Sequence, residues 1–586
     1  MPDRCDVCIV GTGFGGSISA FRLAELYRAA GVDPGAIVVL ERGRRYKHTE
    51  FRQSMHIDHL SNVYNLIQGQ GAQVVVANAV GGGSNLYLAA SLRAPSEIFN
   101  RRDRRPGDGP DRRMWPDVIA RTSLDPYYAR VEAGLRISRP TWAQVSKSGG
   151  LWAATLQAAG HTCDRVPLAI SPDRCVNAKW CHTGCIFGAK NTLPTNYLGA
   201  AERFGVQLRA NVQVSQVRQS QARPYRYIVA AERMDNEGDH PSRAPVAGGG
   251  FELECKALVL AAGAMGTPPI LMRSQSALPS LSSEVGKHLG SNGDHVAAVE
   301  YDPKKVRDVL GLPGYADFYK GKPITTMTYD YYAGRSANEF DGTRFTLQEI
   351  FLSALTNFLY DHGRGTGEPS FWGLEKKHAI AHWANRIELL AMVEDTNDGQ
   401  FFAVPPSGGG VRPNPGPVTV GLFNYAFSEQ SLRVREAAEA AIRQIVERGR
   451  LGRFMKLTET RGAYVAHPLG GCRMATSPDL GVVDDSGSVF GYEGLYCIDS
   501  SIVPTSLGVN PSLTIAALSE RCADALVGRG ASLGLPARPP GFAPGVPDEV
   551  IGERVVPALL RDGGSTPSRR GQRRRGRHRR RSQRRS

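Results

Sequence analysis

The 586-residue sequence predicts an α/β fold, and three observations carry that prediction. The chain opens on an apolar run, a glycine turn, a helical stretch and a second apolar run, which is a βαβ unit. Strand-like, glycine-rich text returns from Tyr464 to Leu526. Between them, residues 300–425 lose the βαβ rhythm and become rich in aromatics, marking a second structural region.

Asp6–Val10 reads as a short buried strand, followed by Gly11-Thr-Gly-Phe-Gly-Gly16 and a helix through Arg28. The apolar positions of that helix (Ile18, Phe21, Leu23, Leu26) spread around more than one side, as in a buried helix. Ile37–Glu41 is the next strand. Residues 101–113, charged and rich in Pro and Gly, read as an exposed loop. Tyr225–Met234 and Phe251–Gly263 read as strands, and Asp235–Gly250 between them as a solvated loop. Ser431–Arg450 has helical spacing, with Leu432, Val434, Ala438, Ala441, Ile442 and Ile445 apolar. Past Leu533 the composition turns to Pro and Gly, then to arginine, predicting a linker and a disordered tail.

Gly11, Gly13 and Gly16 fit G-x-G-x-x-G between a strand and a helix. The first glycine permits the tight turn, the second a close backbone approach to a pyrophosphate, and the third close helix–strand packing. The helix N-terminus adds N–H donors and a positive dipole end. Glu41 closes the second strand, where a carboxylate can accept from a ribose diol. The motif serves FAD and NAD alike; its place at the start of the chain favours FAD.

Charge excludes less than it suggests. The formal net charge is +15, but Arg569–Ser586 holds eleven arginines and no acid, and without those eleven the rest carries +4. Whole-chain basicity therefore does not indicate a nucleic-acid enzyme. No secretion signal and no apolar run of bilayer length are apparent. Ten cysteines in so long a chain read as reduced thiols, and the expected location is the cytoplasm.

Further segments carry a family resemblance. Gly81-Gly-Gly-Ser-Asn-Leu-Tyr87, Gly263-Ala-Met-Gly-Thr-Pro-Pro-Ile-Leu-Met-Arg-Ser274, His467-Pro-Leu-Gly-Gly-Cys472, Gly494-Leu-Tyr-Cys-Ile-Asp-Ser-Ser501 and Gly508-Val-Asn-Pro-Ser-Leu-Thr-Ile515 stand in that order. They resemble the signatures of glucose-methanol-choline oxidoreductases, in particular the cholesterol-oxidase-like branch. The second segment departs at Gln275, where glycine is usual. Matching covers roughly residues 1–530 and is weak over 300–455.

The resemblance implies a Rossmann-type FAD-binding domain assembled from residues 1–100, 190–299 and 456–530. It implies a substrate domain on a mainly antiparallel sheet, from 101–189 and 300–455, the former holding a cysteine-containing insertion. Residues 531–586 are left as linker and tail. It implies alcohol oxidation by hydride transfer to flavin N5, with His467 and Asn510 as active-site residues. Gly82, Gly83, Ser84 and Asp499 join Gly11, Gly13, Gly16 and Glu41 as expected cofactor contacts.

The chemistry needs these residue types. A hydroxyl proton must leave as a hydride departs from carbon, and a neutral imidazole accepts a proton near neutral pH. An amide orients the hydroxyl oxygen without competing as a base, and the flavin takes two electrons. The leading substrate is a hydrophobic secondary alcohol, a 3β-hydroxysteroid first, with oxygen or another acceptor. Beyond the resemblance, the sterol reading has the apolar text of 345–372: Phe345, Phe351, Leu352, Phe358, Leu359, Phe371 and Trp372. These residues serve equally as plain core. Glu388 and Glu394 lie in the region, Arg386–Gln400, where the branch carries a glutamate that shuttles a proton in double-bond isomerisation, and the residues themselves read as solvated helix or loop glutamates.

Cys175, Cys181 and Cys185 are spaced C-x5-C-x3-C, a ferredoxin-type run with Ala178 in place of its second cysteine. Three readings stand: buried thiols, an iron–sulfur cluster, or zinc with His182 and Cys163. A cluster would fit a sugar or polyol dehydrogenase passing electrons to a carrier. A third functional class is a non-catalytic flavin-binding protein docked by its tail. The tail suits an anionic membrane or another acidic surface. It has no Phe, Tyr or Trp for base stacking, so no nucleic-acid partner is expected.

Overall fold

The computed structural model describes residues 3–547 except 55–56, 104–111, 237–242, 313–319, 333–335, 337–338, 341–342, 352–359, 362–376, 378–380, 403–417, 426 and 460–462. Met1–Val550 forms one compact unit; Ile551–Ser586, a second unit, lies outside the described residues.

The first sheet is built on β1 (Asp3–Val10), an eight-residue strand whose inner half is fully apolar. A strand covered on both faces reads as such a continuous run. It pairs in parallel with β2 (Ile37–Leu40) on one side and with Pro245–Leu260 on the other. The crossover is α1 (Phe14–Ala29), twelve of whose sixteen residues are buried, as its all-round apolar pattern requires.

Pro245–Leu260 does double service. Its stretch from Pro245 to Cys255 pairs antiparallel with Tyr227–Met234, and its last three residues pair in parallel with Leu495–Cys497. Sequence from both ends of the chain thus shares one sheet. The first and a late helix are also tied by charge: the buried Arg22 guanidinium forks onto Glu520 at 2.7 Å through each of two nitrogens.

One expectation needs correction. Residues 245–250 extend a strand rather than lying in a loop. Glu232 faces Gly250 and Met234 faces Pro245 across the ladder, so backbone pairing overrides the Pro and Gly propensity. Their side-chain positions remain mostly exposed, as expected of solvated text.

The second sheet is antiparallel throughout, in the order Gly452–Met455, Asp294–Tyr301, Arg386–Val393, Phe345–Ile350, Ile324–Thr328, Asp164–Arg165. Its first long strand straddles the boundary expected at residue 299. Alternation divides its two faces. Ala297, Val299, Tyr301, Phe345, Leu347, Ile387, Leu389 and Ala391 form one core with helices Lys147–Ala158 and Glu429–Gly449. Val296, Ala298, Ile324, Met327, Ile350, Leu390 and Met392 point the other way and join the core of the first sheet. Glu388 and Gln348 share this second face, as their cross-strand partners Ala298 and Leu390 require.

A third, five-stranded sheet was not foreseen. Its strand Ala463–Val465 pairs in parallel with Ala72–Val74 and delivers the chain to His467.

Candidate active site

The glycine turn is built as its spacing demands. Gly11 has φ +100°, and a Cβ there would lie 2.3 Å from the Ala261 carbonyl oxygen. A Cβ on Gly16 would lie 1.9 Å from the Gly11 oxygen, so only glycine lets helix and strand approach. Gly13 differs: a Cβ there meets nothing within 4 Å. It caps α1 with no side-chain hydrogen bond, and no acidic residue stands in the first turn. The helix N-terminus therefore faces open space with no side chain of its own first turn to cap it.

Thr12, missed in the sequence, is the hub of this turn. Its N–H and hydroxyl both donate to Glu41 Oε2, at 2.9 and 2.6 Å. Its hydroxyl oxygen accepts from Gly81 N–H at 2.8 Å. The Gly81–Tyr87 loop thus lies on the first turn, with a Cβ on Gly82 only 3.1 Å from Gly13 Cα and open space at Gly83. Ser84 is spent within the protein: it donates to the Gly81 carbonyl and accepts from Leu193 N–H.

The carboxyl-terminal block closes the cradle. A Cβ on Gly15 would strike the Ile498 oxygen at 1.5 Å, so strand Leu495–Cys497 runs directly onto the glycine turn. Asp499 accepts from Gly263 N–H, the Thr267 hydroxyl and Ser501 N–H, at 2.6–2.8 Å. Burial pushes its carboxyl up, against those hydrogen bonds. Its side chain therefore holds the turn at 263–267 to the chain at 499–501.

These features fit a dinucleotide cofactor such as FAD. Open space lies over Gly13 and Gly83, an uncapped helix N-terminus faces it, and the half-buried Glu41 follows the second strand with its carboxylate held by Thr12 and Gly43.

His467 follows the third sheet into a bend fixed by Asp294, the first residue of strand Asp294–Tyr301. Asp294 Oδ1 accepts from His467 Nδ1 at 2.6 Å, and Oδ2 accepts from the backbone N–H of Ala466 and His467, at 2.8 and 3.1 Å. With Nδ1 as donor, the neutral ring keeps its lone pair on Nε2. Nε2 has no partner among the described residues, and the side chain is 22% exposed. Asp294 was missed; the signal was the turn-rich Ser291-Asn-Gly-Asp-His295 ahead of a strand.

Asn510 is buried, and its Oδ1 finds no hydrogen-bond partner. A buried amide oxygen without a partner is costly unless something else satisfies it. Beside this end of the second sheet lies the row Asp294, Met392 and Thr346. The next rows are Val296, Leu390, Gln348 and Met327, then Ala298, Glu388, Ile350 and Ile324. Apolar groups dominate this face, with Gln348 Oε1 unpartnered.

The aromatic text contributes differently from expectation. Phe345 lies in the core on the opposite face. Phe351 is buried against Lys179 and His182. Leu352, Phe358, Leu359, Phe371 and Trp372 lie outside the described residues. Glu394 accepts from the Tyr332 hydroxyl at 2.9 Å. Glu388 is fully buried, and burial pushes its carboxyl up to about 8 against the pull of Arg386 and Lys179.

The cysteines require a correction. Cys175, Cys181 and Cys185 border one small cavity of about 30 Å³. Among the described residues, no group of three His, Cys, Asp or Glu side chains could hold a metal. The residues present do not fit the cluster, nor zinc with His182 and Cys163. Burial holds the Cys181 thiol up at about 12 and His182 down at about 4, so both are neutral near pH 7. Lys190 donates to the carbonyls of Asn85, Tyr87 and Cys181, at 2.5–3.1 Å, pinning this segment to the glycine loop.

A dinucleotide cradle on one sheet and an imidazole held by a carboxylate at the end of a strand of another are the marks of a nucleotide-cofactor oxidoreductase. The chain belongs to the GMC oxidoreductase family: residues 8–292 and 416–519 match its two family models. Members of this family bind FAD and act on alcohols. The chain is 26% identical to a cholesterol oxidase of Mycobacterium tuberculosis, covering 89% of this chain and 91% of that protein. It is 24% identical to a cholesterol oxidase of Acinetobacter baumannii (88% and 93%), and 23% to the long-chain-alcohol oxidase FAO4B of Arabidopsis thaliana (87% and 66%). In fold it is similar to a pyridoxine 4-oxidase structure from "Mesorbium loti" (TM-score 0.54, 15% identity, 89% of this chain and 99% of that one). A formate oxidase structure is similar too (TM-score 0.56, 14% identity, 91% and 99%).

Proposed function

We propose that this protein oxidises an alcohol to a ketone or aldehyde with bound FAD, and that His467 and Asn510 handle the hydroxyl group. The observation that carries the reading is the His467–Asp294 pair, which leaves Nε2 free to accept the hydroxyl proton. Asn510, a buried amide, orients the hydroxyl by donating from its side-chain N–H to the hydroxyl oxygen, leaving the hydroxyl proton to His467. FAD, when bound, supplies the two-electron acceptor. Gly11, Gly13, Gly16, Glu41, Gly82 and Gly83 would hold it, with Ser84 and Asp499 shaping the cradle through their own hydrogen bonds.

The substrate is a hydrophobic secondary alcohol, with a 3β-hydroxysteroid leading. Support comes from the apolar second-sheet face beginning at Asp294 and from the cholesterol oxidases among the relatives. The oxidase names of those relatives favour oxygen as acceptor. The cytoplasm is the proposed location, supported by ten unpaired cysteines. Among the described residues no helix is long and apolar enough to cross a membrane. The arginine-rich last eighteen residues supply a peripheral contact to an acidic surface.

Anaerobic bleaching of the flavin by a panel of sterols, long-chain alcohols and sugars tests this reading. Bleaching by sterols or long-chain alcohols, and not by sugars, is the expected result. Bleaching by sugars alone overturns the substrate class, and no bleaching by any alcohol overturns the activity.

A further inference from the structure

Asp294 has a neighbour with a matching task. Asn292 is fully buried and sits with φ +56°, a left-handed conformation that Asn tolerates better than most residues. Its Nδ2 donates to the Val509 carbonyl at 2.9 Å, and its Oδ1 accepts from Leu507 N–H at 2.7 Å. One amide side chain therefore grips the backbone on both sides of Gly508, immediately before Asn510.

Gly293 lies between the two grips with φ +74°. A Cβ there would stand 1.9 Å from the Val393 carbonyl oxygen, so the turn must be glycine. Val393 N–H donates to the Gly293 carbonyl. Ser291, on the other side, gives its N–H and hydroxyl to Asp395 at 2.8 and 2.9 Å, and Asp395 is also bonded by the Tyr425 hydroxyl. The Ser506 hydroxyl donates to the Asp395 carbonyl and accepts from the Asp395 N–H. The turn and the 506–510 segment thus rest on one anchor.

We propose that the buried tripeptide Asn292-Gly293-Asp294 is a single positioning element, with Asn292 setting Asn510 and Asp294 setting His467. Two residues that must meet one hydroxyl group, yet lie 43 positions apart in the chain, take their relative placement from side chains two positions apart on one rigid turn. Neither Asn292 nor Asp294 touches the alcohol. Both act through the residue they hold, because a displacement of about 1 Å is enough to cost about a hundredfold in rate. This inference rests on the roles given above to His467 and Asn510.

The test uses the FAD-loaded protein. Asn292→Gly retains the left-handed backbone and removes both grips. Asn292→Asp keeps the acceptor for Leu507 and loses the donor to Val509, and it carries the test if the glycine variant does not retain flavin. At saturating alcohol, anaerobic flavin reduction should slow by about 10- to 100-fold, with half-saturation shifted less than about threefold. In an Asn510→Ala background the same change should cost no more than about twofold further, since both substitutions remove one function. Reduction at the wild-type rate, or losses that multiply in the double variant, would overturn the proposal. Hydrogen exchange over residues 503–511 gives a second reading. It should quicken in Asn292→Gly and not in Asp294→Ala; unchanged exchange overturns the grip. If no alcohol reduces the wild-type flavin, the functional reading fails by itself, and the exchange result still decides whether Asn292 holds the segment.

Discussion

Asp294 receives the imidazole of His467 on one carboxylate oxygen and the backbone N–H groups of Ala466 and His467 on the other. The ring's tautomer and orientation are therefore set together. A carboxylate that fixes a reacting imidazole in this way is worth one to four orders of magnitude in rate. Asp294→Ala should slow anaerobic flavin reduction by about 10²-fold or more while flavin content holds. Stopped-flow absorbance reads both quantities, and a wild-type rate would contradict the role.

Gly13 and Gly16 belong to one motif and should fail in different ways. Alanine at Gly13 meets no protein atom within 4 Å, whereas at Gly16 it strikes the Gly11 oxygen at 1.9 Å. Gly13→Ala should fold and lose flavin, because its methyl enters only the space reserved for the cofactor. Gly16→Ala should lose folded protein as well. Flavin absorbance per chain, set beside circular dichroism, separates the two; equal folding losses would contradict the cradle.

The glycine turn was legible because its chemistry is local: strand, three glycines, helix and terminal Glu41 lie within a few dozen residues. The roles proposed for His467 and Asn510 come only through family resemblance, since a lone histidine and a lone asparagine before proline carry little signal. The turn that carries Asp294 and Asn292 is marked by its own residues, but what those two side chains hold was not legible. Their partners lie 173 and 217 positions away in sequence, and contacts at such a range leave no periodicity. The cysteine spacing misled for a related reason. Spacing states which thiols can meet, but three ligands must also converge on one metal.

Glu388 makes stability depend on pH. Burial lifts its folded value from 4.5 to about 8, outweighing Arg386, whose own guanidinium burial pushes down. An unfolded chain releases the proton near the ordinary value, while the folded chain still holds it. Stability therefore falls as pH rises from about 4.5 to 8, then levels off. Glu388→Gln should raise the melting temperature little at pH 5 and more at pH 8, a gain on the order of 4 kcal/mol at most. An equal offset at both pH values would contradict the buried, protonated carboxyl.

The Arg22–Glu520 pair should be costly to break and cheap to replace. Glu520 also accepts from Tyr197 and Arg130, so Glu520→Ala strips the buried guanidinium of its bidentate partner, leaving it Glu25 and the Gly545 carbonyl, and leaves a hydroxyl without its acceptor. The expected loss is about 3–5 kcal/mol, and Arg22→Met with Glu520→Leu should recover most of it. Chemical denaturation of the FAD-loaded variants measures both, and a double variant as weak as the single one would contradict the argument.

The proton-accepting role of His467 is tested most directly by the transient rate of flavin reduction in His467→Ala, at saturating alcohol and without oxygen. Flavin content should match the wild type, and the rate constant should fall by about 10²- to 10⁴-fold. A variant that keeps its flavin and is reduced as fast as the wild type would contradict the account.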